Sequence, residues 1–247
     1  MSIKVLGGSS QQEINTRTRF TTLFKESPIP ETELLQNLGL YMNRQLLSRI
    51  LFMHEMYKLI LPVHGVVMEF GIRWGQNLAL FESFRGIYEP YNYNRKIIGF
   101  DTFNGFPSVD AKDGKKVAQG DYGVTQDYEL YLNEIMQYHE SESPIAHKKK
   151  YELVKGDAVE TIDQYFEQHP ETIVALAYFD FDIYKPTKHC LEKIKDRLTK
   201  GSVIGFDELN CAEFPGETLA LAEVFGINRY SIRRSPLVPL CSYIVIE

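Results

Sequence analysis

Acidic residues follow five apolar segments of the sequence, and they are the side chains best suited to chemistry. They are Glu69, Asp101, Asp157, the pair Asp180 and Asp182, and the pair Asp207 and Glu208. If the apolar segments are strands of one parallel sheet, these acids meet at its carboxyl edge, where such sheets bind ligands. Carboxylates there could accept hydrogen bonds from sugar hydroxyls or hold a divalent cation.

A glycine-containing turn follows the first of these segments, in "VVMEFGIRWGQNLALF" (66–81). Gly71 and Gly75 would let the backbone approach a ligand closely. The dinucleotide fingerprint is G-x-G-x-x-G with an acid about 20 residues further on. Here the pattern is E-x-G-x-x-x-G, and Asp101 lies 32 residues beyond Glu69. This spacing argues against NAD and favours a nucleoside ligand without a pyrophosphate, although a tight turn without a ligand gives the same pattern.

Asp101 and Asp157 are candidates for binding the nucleoside. Asp101 ends the strand "KIIGF" and could accept hydrogen bonds from both hydroxyls of a ribose. Asp157 follows "YELVKG" and could accept from the exocyclic amine of adenine. Either acid could instead cap the turn or helix that follows it, and Asp157 could do both.

The remaining four acids are candidates for a metal site. They lie in "YFDFDIYKP" and, 25 residues after Asp182, in "IGFDELN". Uncompensated carboxylates this close repel each other and raise each other's pKa. A bound Mg²⁺ would compensate their negative charge. The alternative is that Asp180 faces an organic ligand and Asp207 caps a loop, with no metal.

Strands and helices alternate along most of the chain. Predicted strands are 66–70, 96–100, 151–156, 172–182 and 202–208, and predicted helices are 77–88, 128–139, 158–169, 187–200 (capped by Gly201) and 216–226. The last segment, "YSIRRSPLVPLCSYIVIE", reads as two strands without a helix between them. This order predicts an α/β fold with a doubly wound, mostly parallel, seven-stranded sheet and an antiparallel edge strand. Residues 104–125 read as a mobile loop.

The N-terminal quarter differs from the rest. Residues 1 to about 30 are polar without a sustained period, and 30–62 form one or two amphipathic helices. We therefore divide the chain into an N-terminal helical cap, 1–60, and a main domain, 61–247. The apolar face of 30–62 predicts a homo-oligomer.

Composition narrows the class of protein. The 247 residues carry a net charge of −6, which gives no general affinity for nucleic acid. Three cysteines are too few for a disulfide framework. The sequence has no apolar run of membrane-spanning length and no signal-peptide pattern at its start. These features predict a cytoplasmic protein without a membrane partner.

Five motifs together resemble the class I S-adenosylmethionine-dependent methyltransferases, which are Rossmann-like. They are "EFGIRWGQ", "GFDTFNGFP", "KGDA", "FDFDIYKPT" and "KGSVIGFDE", and the resemblance covers roughly 60–247. They look most like the macrocin O-methyltransferase group, which methylates sugars of secondary metabolites. Glu208 departs from that group, where an aspartate is usual, and "RWGQN" departs from its paired glycines.

The resemblance implies roles for particular residues. The S-adenosylmethionine site would comprise Glu69, Gly71, Arg73, Gly75, Asp101, Thr102, Asp157, Ala158 and Asp180. A magnesium ion would be held by Asp182, Asp207 and Glu208. The catalytic residues would be Asp182 and Asp180, with His189 as a further candidate base.

The predicted reaction is methylation of a hydroxyl on a sugar, glycoside or other small metabolite, assisted by Mg²⁺. The metal would hold the acceptor and lower its pKa, and a carboxylate would take the proton. Two alternatives stay open: a metal-independent methyltransferase acting on an amine or other nucleophile, and a non-catalytic nucleoside-binding scaffold.

Overall fold

A seven-stranded sheet forms the centre of the protein in the computed structural model, which describes residues 9–247. Its strands are β1 (Val66–Phe70), β2 (Ile97–Asp101), β3 (Tyr151–Lys155), β4 (Val174–Phe179), β5 (Leu198–Phe206), β6 (Arg233–Arg234) and β7 (Ser242–Val245). The order is β3-β2-β1-β4-β5-β7-β6. The first five strands are parallel, whereas β7 runs antiparallel to β5 and β6. The predicted fold class is confirmed.

Eight α-helices accompany this sheet in the described part of the chain. They are α1 (Gln11–Lys25), α2 (Glu31–Leu34), α3 (Arg44–Leu59), α4 (Gln76–Tyr88), α5 (Tyr128–Glu142), α6 (Ala158–Gln168), α7 (Tyr184–Ile194) and α8 (Gly216–Val224). Short 3₁₀ turns follow α2 and α7, at Leu35–Tyr41 and Lys195–Arg197.

Both faces of the sheet are buried against helices. Met68 and Phe70 of β1 face the core made with α6, α7 and α8, whereas Val67 faces the core made with α3, α4 and α5. Strands covered on both faces read as near-continuous apolar runs, which is why β1 and β4 are apolar at almost every position. Fully burying one such side chain stabilises the fold by about 1.5–3 kcal/mol.

Four phenylalanines form a stacked row across the carboxyl ends of the strands. Phe70 stacks on Phe100 and on Phe179, with ring centroids 5.1 and 4.6 Å apart, and Phe179 stacks on Phe206 at 5.6 Å. The register pairs these residues directly across β2, β1, β4 and β5. The residue after each ring therefore lies at the same height, on the opposite face of the sheet. The row sets the positions of Gly71 and of three acids.

Two local predictions differ from the structure. Residues 11–25 form α1, whose start is a capping box between Ser10 and Glu13, a signal that the polar composition obscured. The prediction that Gly201 ends a helix is wrong. Gly201 lies in β5 with φ 91°, at an irregularity in the β4–β5 register, where its N–H donates to Ile246.

The predicted cap segment does not lie apart from the main sheet. Four residues of α3, Phe52, Met53, Met56 and Tyr57, are fully buried in the core beside β1. In contrast, α1 buries no residue. The division at residue 60 stays a prediction, and the predicted cap's first eight residues lie outside the described chain.

The loop between β2 and α5 contacts α7 and α8 across the carboxyl edge of the sheet. Asp113 accepts a hydrogen bond from the backbone of Tyr184 at 2.7 Å, and Lys112 pairs with Glu223 on α8 at 2.5 Å. Gly114 lies so close to Glu213 that a Cβ would be 1.8 Å from its carbonyl oxygen. The loop therefore forms one wall of the space above the sheet.

Candidate active site

A cavity of about 410 Å³ opens above the carboxyl ends of β1, β2, β3, β4 and β5. Ten of the residues predicted for the site line it: Gly71, Arg73, Asp101, Thr102, Asp157, Ala158, Asp180, Asp182, Asp207 and Glu208. Glu69, Gly75 and His189 are not among the lining residues. The structure thus brings the acids of four strand ends into one space.

Gly71 forms the floor of the cavity where the strand order reverses between β1 and β4. Its φ is 94°, and a Cβ there would lie 2.1 Å from the carbonyl oxygen of Asp180. Any side chain would collide with the end of β4, so the position requires glycine. The backbone is left open to a ligand from above.

Position 75 requires glycine for a different structural reason. Its φ is 77°, and a Cβ would lie 2.4 Å from Leu132 Cδ1 on α5. The glycine lets α4 begin and α5 pack close to it. Its predicted role in cofactor binding stays a prediction.

Asp101 is held in a fixed orientation by backbone donors. One carboxylate oxygen accepts from the N–H of Arg73 at 2.7 Å and the other from that of Phe103 at 2.6 Å. Burial raises the pKa of Asp101, and these backbone hydrogen bonds oppose that rise. Each carboxylate oxygen keeps acceptor capacity for a pair of hydroxyls in the cavity.

Glu69 lies beneath the cavity and is completely buried. Its Oε1 accepts from Asn77 Nδ2 at 2.9 Å, whereas no group within residues 9–247 donates to its Oε2. Burial raises the pKa of Glu69 well above its usual range. The side chain thus orients Asn77, which does line the cavity.

Asp157 caps a helix at the edge of the cavity, and its predicted contact with adenine stays a prediction. Its Oδ1 accepts from the N–H of Val159 at 3.0 Å and caps α6, while the residue also lines the cavity. Nearby, Thr102 donates to the carbonyl of Gly105 at 2.7 Å and fixes the start of the loop. Arg73 lies 5.1 Å from the ring centroid of Tyr122.

An arginine from α3 lies between two of the acids. Arg49 Nη2 donates to Asp180 and Nη1 to Asp207, both at 2.5 Å. Asp207 also accepts from the Tyr178 hydroxyl at 2.7 Å and the Cys241 thiol at 3.0 Å. Burial would raise the pKa of Asp207, but Arg49 and these donors outweigh burial and lower it. Burial and the charge of Asp207 raise the pKa of Asp180 to about 7.

Asp182 and Glu208 form the other end of the cavity. Asp182 has a φ of 63°, a strained backbone for a non-glycine residue. The fully buried Glu217 accepts from the backbone N–H groups of both residues, at 3.4 and 3.3 Å. Burial, together with the surrounding carboxylates, raises the pKa of Asp182 well above its usual range and that of Glu208 to about 8.

The described acids do not fit a divalent cation as they are arranged. Residues 9–247 contain no group of three or more His, Cys, Asp or Glu side chains arranged to hold a metal ion. Arg49 also binds one carboxylate oxygen of Asp180 and one of Asp207. Magnesium therefore stays a prediction that this geometry does not support.

Several residues around the cavity were not predicted from the sequence. Arg49, Asn77, Tyr178, Cys241 and Glu217 all contact a predicted site residue. Arg49 and Glu217 had a usable signal, since each is a charge within an otherwise apolar helical face. His189 lies 3.5 Å from Asp163 on neighbouring α6, away from the cavity.

Solved structures place the chain in a family. The crystal structure of CalS11, calicheamicin methyltransferase, is 41% identical, with a TM-score of 0.93 over 99% of this chain and 96% of that one. The chain belongs to the S-adenosylmethionine-dependent methyltransferases. The match confirms the class I family that the sequence motifs resemble.

Two further structures extend the comparison. An apo structure described as CalS11, TDP-rhamnose 3'-O-methyltransferase, is 39% identical with a TM-score of 0.86. The match covers 97% of the present chain and 96% of the CalS11 chain. The O-methyltransferase NovP is 14% identical with a TM-score of 0.57, over 81% and 79% of the two chains, and shares the fold. No family model and no curated protein sequence matches the methyltransferase.

Proposed function

We propose that this methyltransferase moves the methyl group of S-adenosylmethionine to a hydroxyl of a deoxysugar, carried on a nucleotide or a glycoside. One observation carries the proposal: a single cavity joins Gly71 and Asp101 at one end to Asp182 and Glu208 at the other. A donor and an acceptor could therefore meet in it. The substrate class is supported by CalS11, which is described as a TDP-rhamnose 3'-O-methyltransferase.

The donor would occupy the end above β1, β2 and β3. Asp101, oriented by two backbone N–H groups, would accept hydrogen bonds from the ribose hydroxyls. Asp157 and Ala158 at the start of α6 would contact the adenine, and Gly71 would leave room for the sulfonium end. Arg73, Thr102 and Asp180 line the same region.

The acceptor would occupy the end formed by Asp182 and Glu208. Its hydroxyl oxygen attacks the methyl carbon, the carbon–sulfur bond breaks, and S-adenosylhomocysteine leaves with the sulfur electron pair. Asp182 would take the hydroxyl proton, because it lines the cavity and no ion pair among residues 9–247 involves it, whereas Arg49 binds Asp180. The chain would mainly align the two reactants and exclude water.

Three further predictions concern magnesium, assembly and location, and the proposed function does not depend on them. Magnesium assistance stays a prediction, with a metal-free reaction as its alternative. A homo-oligomer is supported by exposed apolar side chains of the N-terminal segment, such as Leu35 and Leu40. A cytoplasmic location stays a prediction, and no helix within residues 9–247 is long and apolar enough to cross a membrane.

A turnover assay tests the function. Labelled S-adenosylmethionine is incubated with the protein and a panel of nucleoside diphosphate deoxysugars, glycosides and small amines, and methylated products are identified by mass spectrometry. The proposal expects transfer to a sugar hydroxyl in at least one nucleotide sugar or glycoside. Transfer to amines alone, or donor binding without turnover on any member, would contradict it.

A further inference from the structure

The carboxylate of Asp207 is bound unevenly. Its Oδ1 accepts hydrogen bonds from Arg49 Nη1 at 2.5 Å, from the Tyr178 hydroxyl at 2.7 Å and from the Cys241 thiol at 3.0 Å. No group within residues 9–247 donates to its Oδ2, and Oδ2 is not one of the buried polar atoms that lack a partner. Because Asp207 lines the cavity and its side chain is 16% exposed, Oδ2 is the oxygen that remains for a ligand.

The Tyr178 hydroxyl is held in place by the packing of its ring. Tyr178 is a completely buried residue of β4 and pairs across the sheet with Gly205 of β5. A Cβ at Gly205 would lie 2.7 Å from Tyr178 Cδ2, so the ring occupies the space that a side chain on β5 would need. The ring of Phe52 on α3 packs edge-on against it, with centroids 6.3 Å apart. Close packing on both sides therefore fixes the position of the hydroxyl.

The Cys241 thiol reaches the same oxygen from the antiparallel edge of the sheet. Cys241 is buried and directly precedes β7, which pairs with β5. Its Sγ lies 3.8 Å from the Tyr178 hydroxyl, so the two donors contact each other as well as Asp207. Arg49 of α3 adds a positive charge from the same side. Donors from three separate parts of the fold thus converge on one oxygen.

Three donors on one oxygen fix the plane of the Asp207 carboxylate. A rotation away from the observed orientation breaks hydrogen bonds to a charged group, which are stronger than those between neutral groups. A half-turn about χ2 exchanges two equivalent oxygens, so one oxygen still faces the cavity. The core itself requires neither donor, because phenylalanine and alanine would fill similar space without a buried polar atom.

We propose that Tyr178 and Cys241 are positioning residues of the methyl-transfer reaction. Together with Arg49 they hold Oδ1 of Asp207 and keep Oδ2 directed at the acceptor end of the cavity. There Oδ2 receives an electropositive group, and the experiments below distinguish a hydroxyl hydrogen of the acceptor from a divalent cation. The inference rests on the proposed function for its catalytic part, whereas the orientation of Asp207 does not depend on any activity.

The first experiment tests the orientation of Asp207. Crystal structures of the wild type and of the Y178F/C241A double variant, each with S-adenosylhomocysteine bound, are compared at a resolution that shows the carboxylate plane. We expect a single Asp207 rotamer in the wild type and a rotated carboxylate, or two conformers, in the variant. A variant that keeps the wild-type rotamer at full occupancy would overturn the proposal.

The second experiment measures turnover with the best acceptor at saturating donor. Y178F and C241A each remove one donor, C241S keeps a hydrogen-bond donor, and Y165F is the control, since it removes the hydroxyl of a buried tyrosine that does not line the cavity. We expect kcat/KM for the acceptor to fall about 10-fold in each single variant and about 100-fold in the double variant, the scale of a misplacement of about 1 Å. C241S should recover part of the loss and Y165F should match the wild type. A double variant within twofold of the wild type would refute the positioning role.

Donor binding and stability separate positioning from a purely structural role. The affinity for S-adenosylhomocysteine, measured by calorimetry, should stay within twofold of the wild type in every variant, and thermal unfolding should show a folded protein. If Y178F and C241A lose donor affinity and turnover to the same extent, the two side chains only maintain the fold and the proposal fails.

A magnesium titration identifies the group that Oδ2 receives. Mg²⁺ is titrated into the wild type and Y178F/C241A, both with S-adenosylhomocysteine bound. Stoichiometric binding that weakens at least 10-fold in the variant identifies a cation. No binding to either protein, together with the loss in kcat/KM for the acceptor, identifies a hydroxyl. Stoichiometric binding of equal affinity to both proteins would contradict the proposal. If no acceptor turns over even in the wild type, the proposed function fails, while the crystal structures still decide whether Tyr178 and Cys241 orient Asp207.

Discussion

At the residue scale, Asp101 is the side chain that we expect to bind the donor most directly. Its carboxylate already accepts from Arg73 and Phe103, so a ligand meets oriented oxygens at no further ordering cost. We expect Asp101→Ala to weaken S-adenosylhomocysteine binding by about 1–3 kcal/mol, the scale of a charge-assisted hydrogen bond. Calorimetry measures this. An affinity equal to that of the wild type would remove Asp101 from ribose binding.

Asp182 is expected to affect chemistry rather than donor binding. Asp182→Asn keeps the side-chain shape and removes the proposed proton acceptor. We expect kcat to fall by about 10²–10⁴-fold, the usual contribution of a general base, while S-adenosylhomocysteine affinity stays within a few-fold. Asp163→Asn on the surface of α6 is the control. Equal losses in binding and turnover would place Asp182 in the donor site instead.

The acids of the site could be predicted from the sequence, but their partners could not. Asp101, Asp180 and Asp207 each end an apolar segment, and local sequence therefore reveals that they lie at strand ends. Arg49 is 131 residues from Asp180 and 158 from Asp207. No local pattern encodes such a contact, because it depends on how α3 packs across the sheet.

At the element scale, the connection between α3 and β1 depends on one buried arginine. Arg95 donates to the carbonyls of Ile60 and Val63 at 3.0 and 2.7 Å, to that of Gly65 at 2.5 Å, and to Glu89. Arg95→Met would leave these acceptors and the Glu89 charge without this donor. We expect a loss of about 3–5 kcal/mol in the free energy of unfolding, measured with urea. A loss below 1 kcal/mol would mean that water replaces the arginine.

The elements themselves were predictable where burial on both faces made the sequence strongly apolar. Strand β1 and helix α6 lie within one residue of their predicted bounds, whereas β4 is shorter than the predicted strand 172–182 and ends before Asp180. Helix α1 was missed because all of its residues remain accessible, which leaves no apolar stripe to read. Gly201 misled the prediction because glycine serves equally at a helix end and at a strand irregularity.

At the scale of the whole molecule, one buried acid should make stability depend on pH. Burial raises the pKa of Glu82 to about 7, although Arg85 opposes this. The folded state therefore holds the proton more tightly than the unfolded state, and stability falls as pH rises from about 4.5 to about 7. At about 1.4 kcal/mol per unit, the penalty above pH 7 is up to about 3 kcal/mol.

Glu82→Gln tests this pH dependence, because glutamine cannot ionise. Relative to the wild type, the variant should gain stability between pH 5 and pH 8, measured by urea unfolding at each pH. Comparing the two proteins cancels the other titrating groups, including Glu89, whose pKa is lowered. A stability difference that does not change with pH would contradict the assignment.

Assembly is the second prediction at this scale. The predicted 30–62 segment uses one face of α3 for the core, but Leu35, Leu40 and Leu47 remain exposed. We expect a dimer or larger species by light scattering at micromolar concentration, because burying these leucines against a second copy removes apolar surface from water. Leu35→Gln combined with Leu40→Gln should shift the protein toward the monomer. A wild-type monomer would refute the prediction.

The loop of residues 102–127 gives the cavity wall a sensitivity to salt. Its attachment includes an exposed ion pair between Lys112 and Glu223, which dissolved ions screen, and a hydrogen bond from the Tyr184 backbone to Asp113, which they screen less. Raising ionic strength therefore loosens one attachment while leaving the other. The rate at which reactants enter and products leave would then vary with salt even where the chemical step does not.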